Sequence, residues 1–451
     1  MKKSYFSLLI ILLLGICLRL YDLGSESLWV DEVSTVKNSK LSFVDGILDP
    51  FNNHPLHGIL LHFWIRLFGD SEYSVRFPSV VFGVFSIIMV FFLGRQLFDE
   101  DAGLISAFLL SVSVFNISFS QEARAYALFV LLCIFSYYCL ILFLESGKRI
   151  YSIANAIASG LCIWAHPYGV FILLAQYSSV LVYALRFPRV FRINRNWLKT
   201  QVITAIICFI YIFVMFSKGD GMFSGTAWIE PPSSNDVINS FNLFTGLTYA
   251  YLFPYPADVN LLYSQTLYCF WIVLIIASLY SLFVYSKKAK ECRRPTDIFN
   301  IFLLASWFFT LTIFPLLISI TFKPIFFSRF LIAATPVFYM LIAHGISSIG
   351  SEKTRNLILM ILLFSSLCNA RIYYVNQINE DWRGVADFVD SIADENDRIV
   401  FNNCYLIDSF NYYSNNTGNN HTYCISNASD LDDDLSFVLN DPTNQRLILV
   451  W

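Results

Sequence analysis

The residues best equipped for chemistry are acids, imidazoles and guanidiniums gathered in a few polar stretches of an otherwise apolar chain. Trp29, Asp31 and Glu32 come first, then Asn52, Asn53, His54, Pro55 and His57, and then Arg76. A second stretch carries Gln121, Glu122, Arg124 and Tyr126, a third His166 and Tyr168, and a fourth Lys323, Ser328 and Arg329. A positioned carboxylate takes the proton of an attacking hydroxyl as the new bond forms. Arginine suits a phosphate, because its planar fork donates two parallel hydrogen bonds and stabilises charge growing on a leaving group. Singly, each group has a plainer reading. Asp31 and Glu32 are then solvated acids, Glu122 and Arg124 an ion pair at a helix entrance, and Arg329 an interfacial anchor. His54, His57 and His62 lack the spacing and accompanying ligand of a metal motif, which favours hydrogen-bonding roles.

The elements that must position these groups are membrane helices. Of 451 residues, 56% are hydrophobic and 14% charged, whereas soluble domains carry about 25% charged residues. The net charge is -3 and no basic stripe interleaved with aromatics occurs, which leaves no footprint for nucleic acid. A bilayer core takes about 20 apolar residues per helix. That template finds about eleven candidate spans, over 5–20, 78–97, 102–118, 125–144, 151–164, 168–185, 201–216, 261–285, 298–320, 330–349 and 356–372. Lys2 and Lys3 before the first run would also suit a signal peptide, but no small-residue cleavage site follows, which favours a retained anchor.

Basic residues are retained on the cytoplasmic side of short loops. With the N-terminus inside, Arg95, Lys148, Arg149, the stretch 186–199, the stretch 287–294, Lys353 and Arg355 all fall in cytoplasmic loops. The loop 21–77, a middle loop 217–260 and the tail 373–451 then lie outside, and the acids, histidines and arginines converge on that face. The expected location is the plasma (inner) membrane. Within the first loop, Leu56, Ile59, Leu60, Phe63, Trp64, Leu67 and Phe68 recur at helical period, predicting an interfacial amphipathic helix with His62 and Arg66 on its other face.

The order Leu28-Trp29-Val30-Asp31-Glu32, His54-Pro55-Leu56, Arg76-Phe77-Pro78-Ser79 and Gln121-Glu122-Ala123-Arg124-Ala125-Tyr126 resembles the amino-terminal half of glycosyltransferase family 39-like membrane proteins. These include protein O-mannosyltransferases and the lipid A aminoarabinose transferase, of the GT-C class. Ser328-Arg329-Phe330-Leu331 and Asp381-Trp382-Arg383-Gly384 also resemble segments of these proteins. Pro55-Leu56 departs from the two prolines of many relatives.

The resemblance implies an all-α polytopic GT-C-like domain over 1–372, with a small α/β extracytoplasmic region over 373–451. It also implies transfer of a hexosyl or pentosyl group from a dolichyl- or undecaprenyl-phosphate carrier to a protein, lipid or glycan acceptor, with inversion. On that reading Asp31 is the general base and Glu32 assists it. Arg124 and Arg329 hold the carrier phosphate with His54, and Glu122 orients Arg124 or meets the sugar. His57, Arg76, Gln121, Tyr126, His166 and Tyr168 complete the substrate site. No metal is expected to be obligatory, although a divalent ion remains an option, with Glu32 as a ligand candidate.

In the tail, 381–389 reads as a short helix, 398–405 as a strand, 411–420 as an asparagine-rich loop, 430–434 as a solvated acidic face and 447–451 as an apolar end. Cys404 and Cys424 are candidates for a disulfide outside the cytoplasm. Asn116, Asn415, Asn420 and Asn427 begin sequons. Trp228, Glu230 and the aromatics through Tyr255 suggest either a lid or a plain interfacial loop. The rival class is a transporter or flippase of a lipid-linked sugar, but no internal repeat appears and the informative charges lie at span ends.

Overall fold

The structure is a computed structural model that describes residues 2–49, 54–186, 195–218, 229–247, 257–291, 295–376, 379–394, 397–415, 421–424 and 447–450. Asn52, Asn53, Trp228, the residues 248–255 of the suggested lid, Asn420, Asn427, the acidic run 430–434 and Trp451 lie outside the described residues.

The bundle is built from α1 (Lys2–Leu20), α5 (Glu72–Leu97), α6 (Glu100–Val112), α8 (Tyr126–Ser146), α9 (Arg149–Ala165), α10 (Gly169–Arg186), α11 (Arg195–Ser217), α13 (Ala257–Glu291), α14 (Pro295–Thr321), α15 (Thr335–Ser347) and α16 (Glu352–Val375). Each apolar run read from the sequence falls within these helices or their immediate flanks. Among the described residues, seven helices are long and apolar enough to cross a membrane by length and composition. Helix α5 packs against both α6 and α8, α8 against α9 and α9 against α11; α6 also meets α1 and α15, and α10 meets α14.

Where helices are surrounded by hydrocarbon, association rests on close packing and buried polar contacts. Both occur here. Asn155 donates to the Ser136 carbonyl and to Gln176 Oε1 at 2.9 Å each, and its own Oδ1 accepts from Trp197 Nε1 at 3.0 Å, which ties α8, α9, α10 and α11 together. At the α5–α6 crossing, a Cβ on Gly103 would stand 2.7 Å from the Phe91 carbonyl oxygen and 2.9 Å from the Arg95 nitrogen. Only a glycine admits that approach.

One end of the bundle carries the longer connections. After α1 come an irregular segment over 21–29, then α2 (Val30–Lys40), α3 (Phe43–Leu48) and α4 (Pro55–Phe68). Pro55 opens α4 with a fixed helical φ. The predicted amphipathic helix is α4, with Leu60, Phe63 and Leu67 outward. His62 and Arg66 part company: His62 is buried with Nδ1 2.9 Å from the Ser39 carbonyl, and Arg66 is exposed. Further along lie α7 (Val114–Ser118), α12 (Ser234–Thr245) and a 3-10 helix over Ser328–Ala334.

Helix α5 begins six residues before Pro78, which the sequence reading took as its start. Proline has no N–H for the carbonyl one turn earlier. Trp64 Nε1 takes that Ser74 carbonyl at 2.9 Å, so the helix continues through the proline and presents Arg76.

The tail folds as a small α/β unit. Its parallel sheet runs β2 (His421–Cys424), β1 (Arg398–Phe401), β3 (Leu447–Val450), flanked by α17 (Trp382–Ile392) and α18 (Leu406–Tyr413). The predicted strand stops at Phe401, and the start of the asparagine-rich stretch completes α18, because Leu406 and Phe410 join the core of this unit. Cys404 and Cys424 form the anticipated disulfide. Asn116 is buried, donating to Ser113 and Thr335, which makes its sequon an interior polar contact.

Gly103→Leu should abolish the folded protein. A detergent-solubilised sample is expected to elute as aggregate in size exclusion, whereas the same change at exposed Gly350, with nothing within 4 Å, should leave the monodisperse peak.

Candidate active site

Asp31 and Glu32 sit in the first turn of α2, where helix N-terminal amides favour negative charge, and Lys37 and Lys40 occupy its last turn. Adjacent helical residues diverge by about 100°, so the two acids meet different surroundings.

Glu32 points inward and is fully buried. Its Oε1 accepts from Arg76 Nε at 2.9 Å and from the Ala123 amide at 2.7 Å, and its Oε2 from Arg76 Nη2 at 2.7 Å. Arg76 spends its remaining donors on the carbonyls of Leu23, Glu26 and Ser27 at 2.9–3.0 Å. Both groups were expected at the chemistry. The structure commits Glu32 to Arg76 and a backbone amide, and Arg76 to Glu32 and the 23–27 backbone, while Arg76 also lines the cavity beside Arg329.

Asp31 points outward, with its side chain 32% exposed. Its Oδ2 lies 3.3 Å from Arg124 Nη2 and 3.5 Å from Arg329 Nη2. Arg124 Nη1 also donates to the Asp31 carbonyl at 3.1 Å and to Thr35 Oγ1 at 3.0 Å. Burial opposes the Arg124 charge most, yet Asp31, Tyr126 and Glu122 together outweigh it and hold the guanidinium above its ordinary value. Arg329 lies over Trp29 and Phe327, 5.4 and 4.9 Å from the ring centroids.

The histidines lie beside this cluster. The His54 and His166 rings are 5.0 Å apart, and Tyr126 is 6.4 Å from His54 and 5.7 Å from His166. Burial first, then the neighbouring imidazole and guanidiniums, pushes His54 well below its ordinary value, and burial with Arg124 and Arg329 takes His166 to about 3. His166 Nδ1 accepts the Tyr168 amide, and Tyr168 donates to the Ile325 carbonyl at 2.8 Å, fixing the approach to Arg329. His57 is buried on α4 with neither ring nitrogen hydrogen-bonded. Gln121 donates to the carbonyls of Arg19 and Tyr21 while lining the cavity beside Arg329.

On the far side of Arg329 opens a cavity of about 480 Å³, whose lining includes Glu26, Glu122, Asp236, Ser328, Arg329 and Tyr374. Glu122 Oε2 is buried there without a hydrogen-bond partner. Desolvation, reinforced by Glu32 and only partly offset by Arg124 and Arg329, raises the Glu122 carboxyl from 4.5 to about 8. Its surroundings therefore favour the protonated acid. Among the described residues, no group of three or more His, Cys, Asp or Glu side chains is placed to share a metal ion.

Arg19 escaped the sequence reading. It is buried at the end of α1, donating to Ser120 Oγ at 3.2 Å and to the carbonyls of Gly15, Leu110 and Ser111, and so anchors the turn that presents Glu122 and Arg124. An arginine closing an apolar run was its only signal.

Residues 52–215 match the family model of dolichyl-phosphate-mannose-protein mannosyltransferases. The structure superposes on the Archaeoglobus fulgidus oligosaccharyltransferase, solved with Zn and sulfate, with a TM-score of 0.59 at 13% identity over 94% of this chain. The chain spans 62% of that protein's length. It also superposes on ArnT from Cupriavidus metallidurans bound to undecaprenyl phosphate, with a TM-score of 0.61 at 11% identity, covering 97% of this chain and 89% of that one. No curated protein matches the sequence. The fold is that of the GT-C class of membrane glycosyltransferases, and the family match takes in the His54-Pro55-Leu56, Arg76-Phe77-Pro78-Ser79 and Gln121–Tyr126 stretches of the family 39-like resemblance while beginning after Leu28–Glu32.

Two consequences are measurable. Arg76→Ala leaves Glu32 charged and buried, and should cost about 3–5 kcal/mol, seen as a lower melting temperature in detergent. Because Glu122 binds its proton more tightly when folded, it contributes stability that is fully present below about pH 4.5 and lost as pH rises through about 8. The melting temperature of Glu122→Gln should fall less over that window than the wild type's.

Proposed function

We propose that this chain transfers a sugar from a dolichyl- or undecaprenyl-phosphate carrier to an extracytoplasmic acceptor, with inversion at the anomeric carbon. The observation that carries the reading is the Asp31 carboxylate set between the Arg124 and Arg329 guanidiniums at 3.3 and 3.5 Å, beside a cavity lined by Glu122 and Arg329. The mannosyltransferase match over 52–215 and the likeness to a structure holding undecaprenyl phosphate support the donor class. The basic residues of the short loops support an inner-membrane protein with a cytoplasmic N-terminus and this site outside.

In the reaction, the acceptor hydroxyl gives its proton to Asp31 as its oxygen bonds to the anomeric carbon. The bond from that carbon to the phosphate oxygen breaks, and its electrons leave on the carrier phosphate. Arg124 and Arg329 turn from Asp31 to that phosphate and take up its charge. His54, kept neutral by burial and its cationic neighbours, hydrogen-bonds the phosphate without adding charge. Glu122, protonated, donates to a sugar hydroxyl. Glu32, Arg76 and Gln121 keep these groups in register, while Tyr126, His166 and Tyr168 wall the carrier's entrance. The acceptor is a protein, lipid or glycan hydroxyl, and the sugar a hexose or pentose.

No metal is obligatory on this reading, because two guanidiniums beside Asp31 supply the charge a cation would bring and repel one placed there. The Zn in the Archaeoglobus structure is the precedent for the alternative.

The test is transfer from radiolabelled polyprenyl-phosphate sugars by membranes holding matched amounts of wild type and Asp31→Asn. Wild-type transfer that survives EDTA, with a loss of about 100-fold or more in Asp31→Asn and retained donor binding, is the expected result. Undiminished transfer by the mutant removes Asp31 as base, loss with EDTA restores the metal, and no transfer by wild type with any donor returns the transporter.

A further inference from the structure

We propose that Tyr413, on the small C-terminal unit, is a positioning residue for the transfer reaction, acting through the segment that leads into Asp31. This rests on the reading of Asp31 as the base. Tyr413 is the last residue of α18, and its hydroxyl accepts from the Leu28 amide at 2.7 Å and donates to Glu72 Oε1 at 3.2 Å. Glu72 is in turn paired with Arg383 of α17 at 2.5 Å. The amide so held lies three residues before Asp31, in a lead-in whose backbone groups have no helix or strand to satisfy them.

Other contacts tie the same segment to the same unit. Ser27 Oγ donates to the Glu380 carbonyl at 2.7 Å and accepts the Trp382 amide at 3.1 Å. Val30 packs against the core of the C-terminal unit, and the Tyr413 ring packs into the cluster of Leu28, Val33 and Val36. The lead-in is therefore gripped from two sides, by Arg76 from the bundle and by Tyr413 and Ser27's partners from the tail. The Cys404–Cys424 disulfide closes just before the start of α18 and fixes the helix that delivers the tyrosine.

Removing the hydroxyl leaves the Leu28 amide without its partner beside a fully buried side chain and loosens the path into α2. A misplacement of about 1 Å at a reacting group costs up to about 100-fold in rate. The binding groups Arg124 and Arg329 are carried by other elements, the turn before α8 and the 3-10 helix over Ser328–Ala334. The expected signature is thus a fall in kcat with little change in KM.

The experiment compares full-length wild type, Tyr413→Phe, Asp31→Asn, the double variant and Lys37→Ala, each in nanodiscs. Lys37→Ala removes an exposed ion pair to Asp408 and is the control for a mere surface contact. Tyr413→Phe should lower kcat about tenfold with donor KM within about twofold, cause no further loss in the Asp31→Asn background, and speed deuterium exchange of amides 28–33 by about tenfold. Unchanged kcat and unchanged exchange would overturn the proposal, as would losses that simply multiply in the double variant. If wild type transfers no sugar at all, the transferase reading fails separately, and the exchange rates alone decide whether Tyr413 holds the segment.

Discussion

Everything at the polar end of this bundle depends on one buried ion pair. An ion pair taken out of water repays its desolvation only if its geometry is good and its remaining donors and acceptors are satisfied. Glu32 and Arg76 meet that condition: all five N–H groups of the guanidinium have an acceptor, two on Glu32 and three on the 23–27 backbone. The Glu32 oxygen nearer the bundle also takes the Ala123 amide. One carboxylate thereby joins the lead-in, α2, α5 and the turn carrying Glu122 and Arg124. Irregular backbone beside lipid is tolerated only when its polar groups are satisfied by protein, and here this pair satisfies the carbonyls of Leu23, Glu26 and Ser27 and the Ala123 amide.

The anchor also frees the neighbouring acid. Because α2 turns about 100° between residues, fixing Glu32 inward aims Asp31 toward Arg124 and Arg329. Three acids of similar intrinsic strength then occupy three environments: one paired and sealed, one flanked by cations and partly wet, and one buried without a hydrogen bond at Oε2 and held as a neutral acid. Separating like groups by surroundings is how a site acquires a base and a donor from the same chemical type.

Much of this was legible in the sequence, for reasons of scale. Hydropathy over about 20 residues marks a helix whatever it packs against, and the interfacial α4 and the family-like stretches were readable on the same footing. Asp31 and Glu32 were not separable, because adjacent acids differ only in partners supplied by residues 44 and 91 or more positions away. The early start of α5 was hidden because Pro78 is a helix breaker unless some donor takes the Ser74 carbonyl, and nothing local announces Trp64. Arg19 looked like the edge of an anchor, since its acceptors come from α6 and the turn after α7. In the tail, composition pointed to a loop from Asn411, and only burial of Phe410 and the packing of Tyr413 kept the chain helical.

The depth of the site follows from the same physics. Helix α4 turns Leu60, Phe63 and Leu67 outward while His57, Leu61 and His62 face the protein, the reverse of a soluble amphipathic helix. Such a face suits a helix lying in the plane of the membrane interface, where an apolar face is buried about 5–10 Å into the headgroup and acyl boundary. His54 stands at the N-terminus of α4, and α4 packs on α2. The level at which α4 rests therefore sets the level of Asp31 and His54, which on the proposed reading is the level of a phosphate tethered to a lipid chain. On the proposed reading, a carrier with its tail in hydrocarbon would bring its phosphate to Arg124 and Arg329 without leaving the bilayer, and Asp31, with its side chain 32% exposed, would meet the acceptor hydroxyl.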